Sequence, residues 1–284
     1  MMRLRSLLFV PGDRPERIKK ALGLEVDALI LDLEDSVAAT MKDEARGHVA
    51  AILAEPRQGP RLFVRVNPID SPNHAGDIEA LASTTPDGVV LPKAEGSASV
   101  LRLKENLMQR GISAVSILPI ATETPAAMFE LGTYRSVAGN LAGLTWGAED
   151  LPAAIGAATS REEDGRYTAP YELARSLTLF AASAAGVPAI DTVYPDFRDL
   201  DGLANYARRA ARDGFSGMMA IHPSQVAAIN AAFTPTAEEL AQARRIVAAF
   251  RDNPGVGALQ LDGKMVDAPH VKAAQRILAM AGES

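Results

Sequence analysis

The sequence predicts an α/β protein, a (β/α)8 TIM barrel followed by a C-terminal helical extension. Its 284 residues are close to the ~250 residues that such a barrel typically needs. Short apolar segments alternate with longer amphipathic segments, which is the pattern of βα units around a parallel sheet. Polar side chains follow the apolar segments, as expected where barrels build their active sites. An open doubly wound sheet is disfavoured because no G-x-G-x-x-G or G-x-x-x-x-G-K-[ST] motif occurs.

Eight segments have the length and the composition of buried strands. They are Ser6–Val10, Ala28–Leu33, Leu62–Val66, Gly88–Leu91, Val115–Ile120, Gly143–Trp146, Ala189–Thr192 and Met218–Ile221. Helical periodicity follows several of these strands, over Arg14–Leu22, Lys42–Ala54, Ser97–Arg110 and Ala169–Ala185. The order of strands and helices therefore predicts eight consecutive βα units.

The chain continues beyond what a barrel needs. After the eighth strand, Ser224–Ala232 is predicted to be the closing helix, and two more helices are predicted over Ala237–Phe250 and Ala268–Ala281. The dipeptide Asp262-Gly263 between them marks a turn. We therefore divide the chain into a barrel, residues 1–233, and an extension, residues 234–284. The extension can pack on the barrel floor, or it can act as a lid or an arm that reaches a neighbouring subunit.

Composition excludes several classes of function. The formal net charge is −6, which argues against nucleic acid or an acidic membrane as the main partner. The absence of cysteine excludes disulfides, thiolate nucleophiles and iron–sulfur clusters. The first apolar run ends at Pro11, is too short to cross a bilayer and lacks the small-residue cleavage site of a signal peptide. We therefore predict that it forms a buried strand. We expect a cytoplasmic protein.

Two acids, Glu123 and Asp150, follow the fifth and sixth strands and are expected at neighbouring positions of the barrel mouth. Carboxylates brought together repel each other unless one is protonated or a cation lies between them. Oxygen ligands favour a hard ion such as Mg²⁺, with Mn²⁺ as an alternative. Four histidines without ligand spacing argue against zinc. Each acid also stands two residues before a proline and can cap a helix, so both interpretations stay open.

Arg65 ends the third strand inside an apolar run, where a buried guanidinium needs an anionic partner. A substrate carboxylate would suit its two-pronged geometry, and a salt bridge to Glu34 or Asp35 is the alternative. Together with Asp32, these two acids are predicted to support the site rather than to bind a second metal. Lys93 ends the fourth strand, and we expect it to neutralise charge; a Schiff-base lysine is the competing interpretation.

Longer motifs occur in order along the chain, at the predicted strand ends. They are RSLLFVPG (5–12), LDLEDSV (31–37), VRVN (64–67), LPK (91–93), ETP (123–125), GAEDL (147–151), AIHPSQV (220–226) and GKMVD (263–267). With these motifs the chain resembles the citrate lyase beta-subunit-like branch of the HpcH/HpaI aldolase superfamily, which includes citramalyl-CoA and malyl-CoA lyases. The resemblance spans nearly the whole chain.

This resemblance implies a lyase that cleaves a 3-hydroxyacyl-CoA thioester, of the citramalyl-CoA or malyl-CoA type, into an acyl-CoA and an α-keto acid. It implies that Glu123 and Asp150 hold Mg²⁺ and, through it, the substrate. Arg65 would bind the keto-acid part. A homotrimer or homohexamer is also implied, in which the tail of one subunit caps a neighbour's barrel. Asp267 would then be the catalytic acid delivered across that interface.

The coenzyme A phosphates need a basic entrance, for which Arg14 and Lys20 after the first strand are candidates. Three rival functions remain open at this point. The chain can be the beta subunit of a citrate lyase that acts on an acyl-carrier-protein thioester, or a malyl-CoA thioesterase. A non-catalytic subunit that binds a keto acid or CoA is disfavoured, because a pure binder has little need of Glu123, Asp150, Arg65 and Asp267 together.

Overall fold

The computed structural model describes residues 3–56 and 59–283. The chain divides into two units, Met1–Asn230 and Ala231–Ser284. The strands of the first unit are Ser6–Pro11 (β1), Ala28–Asp32 (β2), Arg61–Arg65 (β3), Gly88–Leu91 (β4), Ser116–Pro119 (β5), Leu144–Thr145 (β6), Ala189–Asp191 (β7) and Gly217–Ala220 (β8). All eight predicted strands are present; Gly88–Leu91 has the predicted bounds, and the other seven differ by one residue at one or both ends.

Helices alternate with these strands along the chain. Up to residue 232 they are Pro15–Ala21 (α1), Lys42–Ala54 (α2), His74–Leu81 (α3), Gly96–Met108 (α4), Ala127–Glu130 (α5), Asp150–Ile155 (α6), Ala169–Ala185 (α7), Leu200–Asp213 (α8) and Val226–Ala232 (α9). Short 3-10 helices cover Ala39–Met41, Leu131–Asn140 and Pro223–Gln225. Within the described ranges, no helix is long and apolar enough to cross a membrane.

The eight strands are parallel and pair in the order β5-β4-β3-β2-β1-β8-β7-β6. The outer strands β5 and β6 are joined by the parallel bridges Ile117–Leu141 and Ile120–Thr145, which bring the sheet close to full closure. Parallel pairing puts all the carboxyl ends of the strands at one mouth, where such barrels place their sites. The predicted (β/α)8 barrel is confirmed.

Apolar side chains from the strands fill the barrel. A buried cluster contains Leu4, Leu7, Ala28, Ile30, Phe63, Val90, Leu118, Ile120, Ile190 and Met219. Strands of a parallel sheet are covered on both faces, which is why these segments read as nearly continuous apolar runs. The Phe63 ring lies so close to Gly88 on β4 that a Cβ at that position would overlap it. Glycine at residue 88 therefore makes room for the Phe63 ring.

The second unit contains a helix pair and a hairpin. Its elements are Ala237–Arg251 (α10), Ala258–Leu261 (β9), Lys264–Asp267 (β10) and Ala268–Met280 (α11). The two helices pack through Ala243, Ala274 and Leu278. The sequence predicted both helices and the turn, but not the antiparallel pairing of β9 with β10. Asp262 and Gly263 have φ angles of 53° and 77°, the left-handed geometry that two-residue hairpin turns require.

Candidate functional site

Six charged side chains lie at the carboxyl ends of β2 to β6, and we call them the mouth cluster. Each follows from the position of its strand: Asp32 ends β2, Glu34 comes two residues later, Arg65 ends β3, Lys93 follows β4 by two residues, Glu123 follows β5 by four residues and Asp150 begins α6. All six were singled out from the sequence, and ion pairs or hydrogen bonds connect them.

Arg65 is held by two acids of the mouth cluster. Its Nε and Nη2 atoms donate to the two oxygens of Asp32, each at 2.7 Å, and its Nη1 lies 3.0 Å from Glu34 Oε2. Burial alone would raise the pKa of Asp32, but the Arg65 hydrogen bonds and charge lower it below its usual value. Asp35, by contrast, is 61% exposed and 4.0 Å from Arg65. The salt bridge expected with Glu34 is present, and Asp32 is the stronger partner.

Lys93 joins two strand ends of the mouth cluster. Its Nζ donates to Glu34 Oε1 at 2.9 Å and lies 3.5 Å from Asp150 Oδ1. Its backbone is in the left-handed region, with φ at 50°, and its amide donates to Glu123 Oε2 at 2.5 Å. Burial would lower the pKa of Lys93, but Glu34 and the other acids raise it above the usual value. A Schiff-base lysine needs the opposite shift, so the geometry favours the charge-neutralising role.

Glu123 is buried among negative charges. Burial raises the pKa of its carboxyl to about 8, and the charges of Asp150 and Glu34 add to that shift. The β6 side approaches it closely, since a Cβ on Gly147 would lie 2.7 Å from Glu123 Cγ. Glycine at residue 147 therefore lets the loop that leads to Asp150 pass beside Glu123.

The mouth cluster has an excess of negative charge. Four carboxylates (Asp32, Glu34, Glu123 and Asp150) face two cations, Arg65 and Lys93. Oxygen atoms are the donors this set offers, which suits a hard divalent cation. Among residues 3–56 and 59–283, no group of three or more His, Cys, Asp or Glu side chains is arranged to enclose a metal. A cation held here would therefore keep coordination positions open for other ligands.

A second buried charge cluster, which the sequence did not reveal as one unit, surrounds Asp191 at the end of β7. Asp191 Oδ1 accepts from Trp146 Nε1 at 2.6 Å and from Tyr206 Oη at 3.1 Å. Asp191 Oδ2 accepts from Arg175 Nε at 2.9 Å, and Arg175 Nη1 also donates to Asp213 at 2.8 Å. We call these five residues the Asp191 cluster. Arg175 stands among apolar residues of α7, where a buried charge is costly without an anionic partner. In the sequence, this is the sign that a buried ion pair forms here.

The two basic residues predicted for coenzyme A occupy different ends of α1. Arg14 directly precedes this helix, on the side where β1 ends, and its side chain is 55% exposed. Lys20 lies in the last turn and is also exposed. Six residues of helix separate them by roughly 9 Å along the axis. The structure thus places Arg14, and not Lys20, at the carboxyl end of a strand.

Asp267 belongs to the second unit, where it ends β10 and begins α11. Its Oδ1 lies 2.5 Å from His270 Nδ1, and this hydrogen bond lowers the pKa of the Asp267 carboxyl.

His222, in the first unit, accepts from the Ser224 amide and stacks on Phe197 with ring centroids 4.7 Å apart. These contacts give His222 a structural role at the start of a 3-10 helix.

The sequence and the fold both match known proteins. Residues 5–223 match the family described as HpcH/HpaI aldolase/citrate lyase. Residues 173–282 match the family described as C-C bond lyase of the TIM-barrel fold. The citrate lyase subunit beta-like protein of Mycobacterium tuberculosis is 40% identical over 281 residues, which cover 98% of this chain and 95% of that protein.

Two further similarities span the chain. Mitochondrial citramalyl-CoA lyase of Mus musculus is 35% identical, covering 98% of this chain and 86% of that protein. The crystal structure of protein CitE from Mycobacterium tuberculosis in complex with magnesium, acetoacetate and coenzyme A is 38% identical and superposes with a TM-score of 0.84 over 99% of both chains. The chain therefore belongs to the HpcH/HpaI aldolase/citrate lyase family.

Proposed function

We propose that this protein is a Mg²⁺-dependent carbon–carbon lyase that cleaves a 3-hydroxyacyl-CoA thioester into an acyl-CoA and an α-keto acid. The observation that carries the proposal is the mouth cluster, where acids in excess surround a buried arginine. A citramalyl-CoA lyase among the relatives and a CitE complex with magnesium, acetoacetate and coenzyme A support the same chemistry. Citramalyl-CoA and malyl-CoA are the substrate types we favour.

Glu123 and Asp150 are the proposed ligands of Mg²⁺. The raised pKa of Glu123, caused first by burial and then by neighbouring carboxylates, indicates that this position lacks positive charge. A divalent cation would relieve that deficit, and Mn²⁺ could replace Mg²⁺ because both accept oxygen ligands. When bound, the ion would polarise the C–O bond of the substrate hydroxyl. It would also stabilise the negative charge that develops on that oxygen as the C–C bond breaks.

Arg65 is the proposed group for the carboxylate of the keto acid. The Asp32 carboxylate accepts hydrogen bonds from Arg65 Nε and Nη2, and these two bonds fix the plane of the guanidinium. Nη1 lies 3.0 Å from Glu34 Oε2, so a substrate carboxylate would share this end of the guanidinium with Glu34. Lys93 balances the charges of Glu34 and Asp150 beside this position.

Cleavage moves the electron pair of the broken C–C bond onto the α-carbon of the thioester, which then takes up a proton, while the substrate hydroxyl releases its proton to solvent and becomes the keto group of the α-keto acid. Asp267 is the proposed group for the proton that the α-carbon takes up. The His270 hydrogen bond lowers the pKa of Asp267, so the ionised form prevails at neutral pH. That form removes the α-proton in the condensation direction and is regenerated by each cleavage. We propose that a neighbouring subunit supplies Asp267, in a cytoplasmic homotrimer or homohexamer.

A panel of citramalyl-CoA, malyl-CoA and citryl-CoA with Mg²⁺ tests the proposal, with both products identified by mass spectrometry. We expect an acyl-CoA and an α-keto acid from at least one ester, and loss of turnover in excess chelator. Free CoA with an intact hydroxy acid would identify a thioesterase instead. Turnover of an acyl-carrier-protein thioester alone would identify a citrate lyase beta subunit. Binding of esters without turnover would identify a non-catalytic subunit.

A further inference from the structure

A buried lysine lies beneath the mouth cluster. Lys42 is the first residue of α2, and only 8% of its surface is exposed. Its Nζ donates to the carbonyl oxygens of Leu33 and Glu34, each at 2.7 Å, and to Asn67 Oδ1 at 3.1 Å. The three N–H groups of an ammonium thus have three oxygen acceptors, all of them uncharged. Burying an ammonium among neutral oxygens is costly, which calls for a reason beyond packing.

The two carbonyl groups belong to the segment that carries Glu34. The Leu33 amide donates to the Arg65 carbonyl at 2.9 Å, and the Glu34 amide donates to Asp32 Oδ1 at 2.9 Å. Lys42 donates to the carbonyls of these same two residues, so both the amide and the carbonyl of Leu33 and of Glu34 are held. The backbone of Glu34 is therefore fixed from two directions.

Asn67 ties the same segment to the end of β3. Its Nδ2 donates to the Leu33 carbonyl at 2.8 Å and to Asp77 Oδ2 at 2.7 Å, and its own amide donates to that oxygen at 2.6 Å. Because Lys42 bonds to the side-chain oxygen of Asn67, its ammonium bridges the segments that follow β2 and β3. Both segments position Arg65. It is the last residue of β3, and it pairs with Asp32 and Glu34, which end and follow β2.

We propose that Lys42 is a positioning residue that sets the Glu34 carboxylate between Arg65 and Lys93. Glu34 is the acid that touches both cations of the mouth cluster, at 3.0 Å from Arg65 Nη1 and 2.9 Å from Lys93 Nζ. A shift of its backbone would release the two cations toward other acids and change the direction in which Arg65 presents Nη1 to a substrate. The kinetic consequence rests on the proposed lyase function, while the structural consequence does not.

Chemical rescue of Lys42→Ala is the decisive experiment, because the variant leaves a space lined by three oxygen acceptors. Losing a charge-assisted positioning contact should raise the KM for the keto acid about tenfold in the condensation direction, with a smaller change in kcat. Ammonium or methylammonium should restore the KM, since each brings N–H donors of the right charge. Tetramethylammonium at the same concentration should not, because it has no N–H group.

Two further variants separate positioning from a merely structural role. Ile52→Val removes one buried methylene from the same helix, so it should loosen α2 slightly and leave the KM unchanged. Lys42→Met keeps most of the volume of the lysine side chain. If Lys42→Ala does not fold, the same kinetic constants are measured in Lys42→Met. Unchanged kinetic constants in Lys42→Met, or equal rescue by tetramethylammonium, would overturn the proposal.

Hydrogen–deuterium exchange and pyruvate binding give readouts that need no turnover. Peptides covering residues 33–37 should exchange faster in Lys42→Met than in Ile52→Val, and calorimetric binding of pyruvate with Mg²⁺ should weaken by a similar factor to the KM. If the wild-type protein cleaves no ester, the proposed function fails, and these two measurements still decide the role of Lys42. Exchange and pyruvate affinity equal to those of the wild type would refute it.

Discussion

The mouth cluster and the Asp191 cluster are both buried groups of charges at strand ends, but they differ in how well their charges are matched. Asp191 receives hydrogen bonds from Trp146, Arg175 and Tyr206, and its own side chain also accepts from the Thr192 amide at 2.8 Å. In the mouth cluster, four acids share two cations, and burial with neighbouring charge raises the pKa of Glu123 to about 8.

We propose that this difference separates a structural cluster from a functional one. A carboxylate whose acceptor positions are filled stabilises the fold only while its partners stay, and it has nothing to offer a ligand. Carboxylates in excess are unfavourable in the free protein, and they bind a cation strongly for that reason. The Asp191 cluster should therefore control stability, and the mouth cluster should control activity.

The largest expected effect is loss of activity in Glu123→Ala and Asp150→Ala. Removing either proposed Mg²⁺ ligand should lower kcat/KM on the order of 10³-fold, because electrostatic stabilisation of developing charge is lost. Stability of the metal-free protein should stay the same or rise in Glu123→Ala, since a buried, poorly matched acid is removed. Steady-state kinetics and thermal unfolding measure the two effects. A fully active Asp150→Ala protein would show that the mouth cluster holds no metal at this position.

The opposite pattern is expected for Arg175→Met in the Asp191 cluster. Removing this partner leaves Asp191 buried without its cation, so the free energy of unfolding should fall by about 3–5 kcal/mol. The folded fraction should keep the wild-type kcat/KM, because Arg175 belongs to no part of the mouth cluster. Urea denaturation gives the stability, and kinetics at low temperature gives the activity of folded protein. A stable but inactive variant would remove the distinction drawn between the two clusters.

A smaller effect is expected from pH, again in the mouth cluster. The pKa of Glu123 rises from 4.5 to about 8 on folding, so the folded protein holds the proton more tightly than the unfolded chain. The free energy of unfolding of the metal-free protein should therefore fall as pH rises through that window. Binding of Mg²⁺ needs the ionised carboxylate, so its affinity should increase about tenfold from pH 7 to pH 9. Calorimetric titrations measure this increase, and Glu123→Gln should abolish it.

Much of the mouth cluster could be predicted from the sequence, because a residue at the end of a parallel strand reaches the mouth whatever the details of packing. Glu123, Asp150 and Arg65 were placed at the mouth in this way, and Lys93, expected to neutralise charge, lies beside Glu34 and Asp150. What the strand pattern could not give is pairing. That Asp32, rather than Asp35, is the main partner of Arg65 depends on which side chain points inward.

Two features escaped the sequence for a different physical reason. Lys42 begins a helix like many solvated lysines, and its burial depends on contacts with Asn67, which is 25 residues away. Arg175 in α7 bonds to Asp191 on the strand that follows, 16 residues away, a pairing that depends on how this helix packs against the sheet. By contrast, the β9–β10 hairpin could have been predicted from the sequence, since an Asp-Gly pair between apolar segments is a strong hairpin signal.

The smallest expected effect concerns the entrance for coenzyme A and compares the two ends of α1. Arg14 stands where β1 ends, whereas Lys20 lies in the last turn of the helix. An exposed cation that touches a phosphate contributes only about 0.2–1 kcal/mol, so Arg14→Ala should raise the KM for the CoA ester by a factor of about 1.4 to 5. Lys20→Ala should leave this KM unchanged, because its charge lies roughly 9 Å further along the helix. High salt should shrink the Arg14 effect, since screening weakens contacts between exposed charges. Equal effects of the two substitutions, each removed by salt, would mean instead that the whole of α1 attracts the phosphates without a defined contact.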